Sequence, residues 1–275
     1  MSTAHVNGVD LYYETAGSGE PFLMMHGGLG LDHSSLTPWH DALADRARLV
    51  YYDHRWNGRS GRVGPADMAT WQRDAAALLD HLGVARATIV GHSYGAWIAL
   101  GFAARYPERV ERLILCGASP AFDYAPDLAR QERTDPAAVK ALLAGLATPP
   151  ATDDELRELW RTILPLYFES TPPPELLART HCSAAGYAHS SAALRGYSVV
   201  EQLPAMRMPM LVVVGTHDFI TPPAQARRIA ALAPDATVVE LVRSGHFPFI
   251  EERDAYLAAI RSWLDARPAG GAGLR

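Results

Sequence analysis

The most constraining feature of this sequence is the pentapeptide Gly91-His92-Ser93-Tyr94-Gly95, which stands between two apolar runs of different character. The run before it, 87–90, is typical of a buried strand, and the run after it, 96–104, is typical of a helix. A glycine two positions on either side of a serine lets the chain turn sharply from strand to helix. The pattern therefore predicts a strained Ser93 with an exposed hydroxyl, beside the free N–H groups of a helix start.

A serine placed in this way needs a base to become a nucleophile, and the base needs an acid that orients it. Asp218 follows one strand-like apolar run, and His246 follows the next one along the chain. Both side chains would lie at the carboxyl ends of strands, where open α/β sheets place their chemistry. We predict a catalytic triad of Ser93, His246 and Asp218, with Asp235 and Glu240 as the alternative acids.

A glycine-rich segment, His26-Gly27-Gly28-Leu29-Gly30, follows the apolar run 21–25 near the amino terminus. Such a turn can point a backbone N–H at a developing oxyanion, although a glycine-rich turn standing alone would be an ordinary β-turn. We expect the oxyanion hole to consist of the N–H of Tyr94 and that of Gly28 or Leu29.

These segments, with Tyr52-Asp53-His54-Arg55 and Gly58-Arg59-Ser60, make the chain resemble the α/β-hydrolase superfamily over nearly its whole length. The order of the triad residues along the chain is also that of the superfamily. The resemblance implies an α/β fold, with a mostly parallel sheet, helices on both faces and a helical cap insertion. It further implies that Asp53 and Arg55 form a structural ion pair that holds loops below the site, with a catalytic role as the alternative.

Within the superfamily, the glycine-rich segment and residues 52–55 are most similar to proline iminopeptidase-type hydrolases and related esterases. Leu29 stands where those peptidases usually carry proline, and Trp56 stands where they carry glycine. We also find no Trp-Glu pair of the kind that grips a substrate's amino terminus. We therefore expect hydrolysis of a carboxylic ester or lactone of a small, mostly apolar substrate, through an acyl-enzyme.

Three alternatives stay open at this point. A proline iminopeptidase-like aminopeptidase or amidase and a C–C bond hydrolase could use the same residues. A ligand receptor that retains the hydrolase fold is an alternative of a different class, because a receptor can keep an intact triad.

Composition argues against several other classes of protein. Lys140 is the single lysine among 25 basic residues and lies away from every motif, which disfavours a Ser–Lys dyad or a Schiff base. No metal-binding His/Cys pattern, phosphate-binding loop or dinucleotide fingerprint is present, so we expect no cofactor and no metal. The cysteines, Cys116 and Cys182, have no redox spacing.

The net charge of −5 argues against nucleic acid as a partner, and no apolar run approaches the ~20 residues of a membrane span. We expect a small-molecule substrate, no membrane partner, and a monomer or homodimer. The cysteine usage and an amino terminus unlike a signal peptide indicate a cytoplasmic protein.

The alternation of strands and helices stops near residue 118 and resumes near 205. We predict a core of residues 1–118 and 205–267, a helical cap of 119–204, and a disordered tail of 268–275. The cap carries 11 acidic and 7 basic residues, which forms either a solvated surface or a pocket mouth that selects cationic substrates. Apolar residues expected to line the substrate pocket are Leu29, Tyr94, Trp97, Phe122, Tyr124, Leu166, Tyr167, Phe168 and Phe247.

Overall fold

The computed structural model describes residues 2–267, so the predicted disordered tail, 268–275, lies outside the described residues. The core of the fold in this described part of the chain is a sheet of eight strands. The strands are β1 Ser2–Val6, β2 Val9–Ala16, β3 Glu20–Met25, β4 Ala47–Tyr52, β5 Ala87–His92, β6 Val110–Cys116, β7 Met210–Gly215 and β8 Ala236–Leu241. They are arranged in the order β1-β2-β4-β3-β5-β6-β7-β8. The pairs β1–β2 and β2–β4 are antiparallel, and all the other pairs are parallel.

Within residues 2–267, ten α-helices accompany the sheet. They are α1 Met68–His81, α2 Tyr94–Arg105, α3 Ala129–Thr134, α4 Pro136–Ala147, α5 Asp153–Ile163, α6 Pro174–Ala178, α7 Ala184–Ala193, α8 Pro223–Leu232, α9 Pro248–Glu251 and α10 Arg253–Asp265. None of the helices within residues 2–267 combines the length and apolar character needed to cross a bilayer. Between β3 and β4, residues Asp41–Asp45 form a short 3₁₀ helix.

The central strands are buried on both faces, which explains why their sequences are almost continuously apolar. Successive residues of β7 contribute to two separate cores. Met210 and Val212 face the core that includes α1 and α2, whereas Leu211 and Val213 face the core that includes α10. Helices therefore cover both faces of a mostly parallel sheet, and the predicted fold class is confirmed.

Helices α3 to α7 all fall between β6 and β7, in the segment that the sequence predicts to be a cap. Polar side chains start three of these helices: Asp135, Thr152 and Ser183 each accept a hydrogen bond from an N–H of the first turn. The only strand-like pairing that the described part of this segment makes is one bridge between Ala121 and Ser198. That residues 119–204 form a separate cap domain stays a prediction.

Candidate active site

Ser93 lies between β5 and α2, with φ of 52° and ψ of −117°. Non-glycine residues rarely adopt a positive φ, and holding one there costs about 1–3 kcal/mol. The turn is held by a hydrogen bond from the Ser93 N–H to the carbonyl of Cys116, 2.9 Å away. Gly95 allows α2 to approach β3, because a Cβ at this position would lie 2.1 Å from the Met25 carbonyl oxygen. The serine is therefore fixed at the carboxyl end of the sheet by its neighbours.

The glycine-rich segment after β3 lies directly against this serine. A Cβ built on Gly27 would lie 3.1 Å from the Cβ of Ser93. Tyr94 is the first residue of α2, so its N–H has no partner within the helix. Gly28, Leu29 and Tyr94 all line the same cavity as Ser93, which places the expected oxyanion donors around the serine.

The candidate acid and base form a direct hydrogen bond. His246 Nδ1 donates to Asp218 Oδ2 at 2.7 Å, and both side chains are buried. The same carboxylate oxygen accepts from the Thr221 hydroxyl at 2.7 Å, while Oδ1 accepts from the N–H groups of Ile220 and Thr221. These contacts fix the carboxylate, which in turn fixes the imidazole and leaves Nε2 for a proton from the serine.

The two alternative acids are paired elsewhere. Asp235 accepts a hydrogen bond from Arg267, and Glu240 accepts two from Arg227. Both pairs are partly exposed, so neither carboxylate is directed at His246.

Two buried histidines connect the glycine-rich turn to the loop that follows β4. The His54 N–H donates to His26 Nε2 at 3.1 Å, and His54 Nε2 donates to the His26 carbonyl, also at 3.1 Å. Burial lowers the pKa of both imidazoles below the usual 6.5. A neutral His26 ring is required for this arrangement, because His26 Nε2 acts as an acceptor.

The expectation that Asp53 and Arg55 form an ion pair with each other is wrong, because each pairs with a different described residue. Asp53 Oδ1 accepts from the Nδ1 of His33 at 2.6 Å, whereas Arg55 donates two hydrogen bonds to Asp74 at 2.6 and 2.8 Å. Burial opposes ionisation of Asp53, but the hydrogen bond and charge of His33 outweigh it and lower the pKa of the carboxyl. Both residues therefore connect loops of the core.

One group of described residues brings metal-ligating atoms together. Single atoms of Asp32, His33 and Asp53 lie within 4.8 Å of one another, and all three residues are buried. Hydrogen-bond donors already occupy these carboxylates: Asp32 accepts from the Ser34 N–H at 3.2 Å and from His181 Nδ1 at 3.1 Å. We therefore interpret the group as a hydrogen-bonded network of the fold.

A cavity of about 120 Å³ opens above Ser93 and His246. It brings together six of the nine apolar residues expected from the sequence: Leu29, Tyr94, Trp97, Phe122, Tyr167 and Phe247. The other three lie outside it. Phe168 stacks on Phe247 with ring centroids 4.7 Å apart, and the Tyr124 hydroxyl donates to the Ile220 carbonyl. Leu166 is buried in the core that includes α10.

The sequence analysis missed seven residues of the cavity wall: His92, Pro126, Leu142, Leu146, Trp160, Leu194 and Ile220. Trp160 and Leu142 belong to the apolar stripes of α5 and α4, which were visible in the sequence. An apolar stripe shows that a helix face is covered, but it does not show whether a neighbour or a substrate covers it.

The acidic residues of the cap do not line this cavity. None of the described residues that form its wall is Asp, Glu, Lys or Arg. Four of the described carboxylates in the segment form ion pairs instead: Asp123 with Arg228, Asp153 with Arg62, Glu158 with Arg161, and Glu169 with Arg130. The cavity is therefore mostly apolar, and the ionisable groups among its described wall residues are the imidazoles of His92 and His246 and the hydroxyls of Tyr94 and Tyr167.

The sequence of residues 20–253 matches the family model described as alpha/beta hydrolase fold. The chain belongs to this family. Among similar proteins, polyketide synthase ThaQ of Burkholderia thailandensis is 30% identical over 92% of this chain, although the match covers only 12% of that synthase. Proline iminopeptidase of Lactiplantibacillus plantarum is 27% identical over 94% of this chain and 98% of its own length.

Solved structures of the family extend the comparison. The enol-lactonase from Burkholderia xenovorans LB400 superposes with a TM-score of 0.77 and 30% identity, over 96% of this chain and 100% of that one. These similarities confirm the resemblance to the α/β-hydrolase superfamily that the motifs indicated. The chain is a hydrolase of this superfamily.

Proposed function

We propose that this α/β-hydrolase is a serine hydrolase that cleaves a carboxylic ester or lactone of a small, mostly apolar substrate. The observation that carries the proposal is the apolar cavity, which contains Ser93 beside a buried, hydrogen-bonded pair of His246 and Asp218. The similarity to the enol-lactonase supports a lactone as one form of the substrate.

In the proposed first half-reaction, Ser93 Oγ attacks the acyl carbon while His246 Nε2 takes the hydroxyl proton. Asp218 holds the imidazole in the required tautomer and stabilises the imidazolium. The N–H of Tyr94 and that of Gly28 or Leu29 bind the tetrahedral oxyanion, and each such donor contributes about 3–4 kcal/mol to lowering the barrier. Collapse of the intermediate expels the alkoxide, which receives the proton from His246.

In the second half-reaction, His246 removes a proton from water, and the resulting nucleophile attacks the acyl-enzyme. The released products are a carboxylic acid and an alcohol, and a lactone would yield both on one molecule. The apolar wall suits this sequence because it keeps bulk water away from the oxyanion, where hydrogen bonds are then stronger.

The absence of a carboxylate from the described cavity wall argues against the aminopeptidase alternative. A substrate with a free amino terminus would have to bury an ammonium group without a partner, which is costly. The amidase and receptor alternatives are separated from the proposed function by the following experiment.

The decisive experiment is a panel of p-nitrophenyl esters, lactones and aminoacyl arylamides, run with wild type and Ser93→Ala. We expect neutral esters and lactones to be hydrolysed faster than arylamides, and Ser93→Ala to abolish turnover. A fluorophosphonate probe should label wild type once and leave Ser93→Ala unlabelled. Labelling that survives Ser93→Ala would contradict the assignment, and a labelled protein without turnover would favour the receptor.

A further inference from the structure

Trp160, on α5, connects the cap to the glycine-rich turn. Its indole N–H donates to the main-chain carbonyl of Leu29 at 3.2 Å. The ring itself is 5% exposed, lines the cavity above Ser93 and lies 5.7 Å from the ring of Tyr167. Trp160 therefore contacts both the substrate space and the segment expected to bind the oxyanion.

A second contact from the cap reaches the next residue of the same turn. The N–H of Ser183 donates to the Gly30 carbonyl at 2.8 Å, and a Cβ on Gly30 would lie 2.4 Å from the Ser183 carbonyl oxygen. Two consecutive carbonyls of the turn are thus bound by main-chain or side-chain donors from the segment between β6 and β7.

The turn needs such external contacts because its own backbone is permissive. Gly28 and Gly30 both have φ of +73°, and they flank Leu29 on either side. Glycine populates many backbone conformations, so the peptide planes around Leu29 are weakly specified by the turn itself. The Leu29 carbonyl shares its peptide plane with the Gly30 N–H and adjoins the plane of the Leu29 N–H. A rotation about Leu29 would therefore turn the Leu29 N–H, which is one of the expected oxyanion donors.

We propose that Trp160 is a positioning residue, whose N–H orients the oxyanion-binding turn through the Leu29 carbonyl. This inference rests on the proposed function. It means that the cap supplies part of the catalytic geometry, and that the oxyanion hole is complete only when α5 is in place. A misplacement of about 1 Å can cost 10²-fold in rate, so losing one of the two cap contacts should lower kcat substantially.

The test removes the indole N–H and keeps an aromatic ring at position 160. Trp160→Phe is the first variant, and replacement of Trp160 by 3-benzothienylalanine is the second, because it keeps the bicyclic shape and replaces the N–H with sulfur. Trp263→Phe is the matched control. Trp263 is also 5% exposed, lies on α10 away from the cavity, and its indole N–H has no partner among the described residues.

With p-nitrophenyl butyrate, we expect both position-160 variants to lower kcat about tenfold while KM stays within about twofold. The inhibition constant of a trifluoromethyl ketone, whose adduct with Ser93 carries an oxyanion, should rise by the same factor as kcat/KM falls. Trp263→Phe should leave kcat, KM and this inhibition constant unchanged.

The inference is overturned if the benzothienylalanine variant keeps wild-type kcat, or if the whole effect appears in KM. Should Trp160→Phe fail to fold, the benzothienylalanine variant decides alone. Failure of the proposed function would look different, because wild type would then turn over no ester and Ser93 would not be labelled.

Discussion

The Nε2–H of His92 donates to the main-chain carbonyl of His246 at 3.0 Å, and the two imidazole rings lie 5.0 Å apart. The residue before the candidate nucleophile therefore supports the loop that carries the candidate base. Burial, and secondly the neighbouring His246, lower the pKa of His92 well below its usual 6.5. His92 is thus a neutral donor, and it sets the distance between the serine turn and the histidine loop.

Replacing His92 with Phe should keep the ring packing against Phe247 and Phe249 but remove this donor. The buried His246 carbonyl would lose its partner, which costs about 1–3 kcal/mol of unfolding free energy. We expect kcat to fall roughly tenfold, because the imidazole of His246 would no longer be held over Ser93. Urea unfolding and steady-state kinetics measure the two effects, and an unchanged kcat would show that His92 is only a packing residue.

Asp218→Asn should keep the fold, because the asparagine oxygen can still accept from Ile220 and Thr221 N–H groups. We expect kcat to fall by about 10⁴, since the histidine would adopt the wrong tautomer. Asp235→Asn is the matched control and should change kcat less than twofold, because Asp235 pairs with Arg267. A large loss of activity in Asp235→Asn, with normal activity in Asp218→Asn, would identify Asp235 as the acid of the triad.

The cavity volume predicts a preference for short acyl groups. At about 120 Å³ it is smaller than the ~150 Å³ cavity that accommodates one benzene molecule. We expect kcat/KM for p-nitrophenyl acetate and butyrate to exceed that for the octanoate by roughly tenfold or more. Initial rates with the three esters, from which the background rate of Ser93→Ala is subtracted, test this ranking.

The opposite chain-length ranking would also be informative. Trp160 and Phe247 separate the cavity from a smaller apolar one, lined among others by Leu31 and Leu176. A preference for octanoate would mean that this wall opens during the reaction and that the substrate is larger than we propose.

The protein should lose stability as the pH falls from about 6.5 to 4. Burial lowers the pKa of His40 from 6.5 to about 4, so the unfolded chain binds a proton in this range that the folded chain does not. The stabilisation from neutral His40 is therefore present above pH 6.5 and is lost as the pH falls, by about 3 kcal/mol in total. His26, His54 and His92 shift in the same direction and add to the slope.

Urea unfolding at several pH values measures this slope. His40→Gln should flatten it, because glutamine can replace the contacts to the Leu36 carbonyl and the Tyr256 hydroxyl without titrating. The control is His5→Gln at an exposed position, which should leave the slope almost unchanged. An equal effect of the two variants would contradict the role of burial.

The sequence predicts best those parts of the fold whose local pattern is compatible with only one stable structure. The strand β7 is apolar at every position except its final glycine, and such a run is stable only inside a covered parallel sheet. The turn at Ser93 is equally constrained, because its strand, glycines and helix start follow one another within a few residues.

The cap is harder to predict because its contacts are made between distant segments. Phe247 and Phe168 are both aromatic residues beside the site. Phe247 lines the cavity, whereas Phe168 stacks behind Phe247. The contact between Trp160 and Leu29 joins residues 131 positions apart. Nothing local in either segment indicates the partner, so only the three-dimensional arrangement shows it.

The separation of the site residues along the chain also affects when the site forms. His246 lies 154 residues after His92, with the whole cap segment between them. At ribosomal speeds of ~5–20 residues per second, the strained serine turn is synthesised roughly 8–30 s before its base. A nascent chain in this interval has a serine without a proton acceptor. A triad of Ser93, Asp218 and His246 can therefore assemble only after the segment that follows β8 has been synthesised.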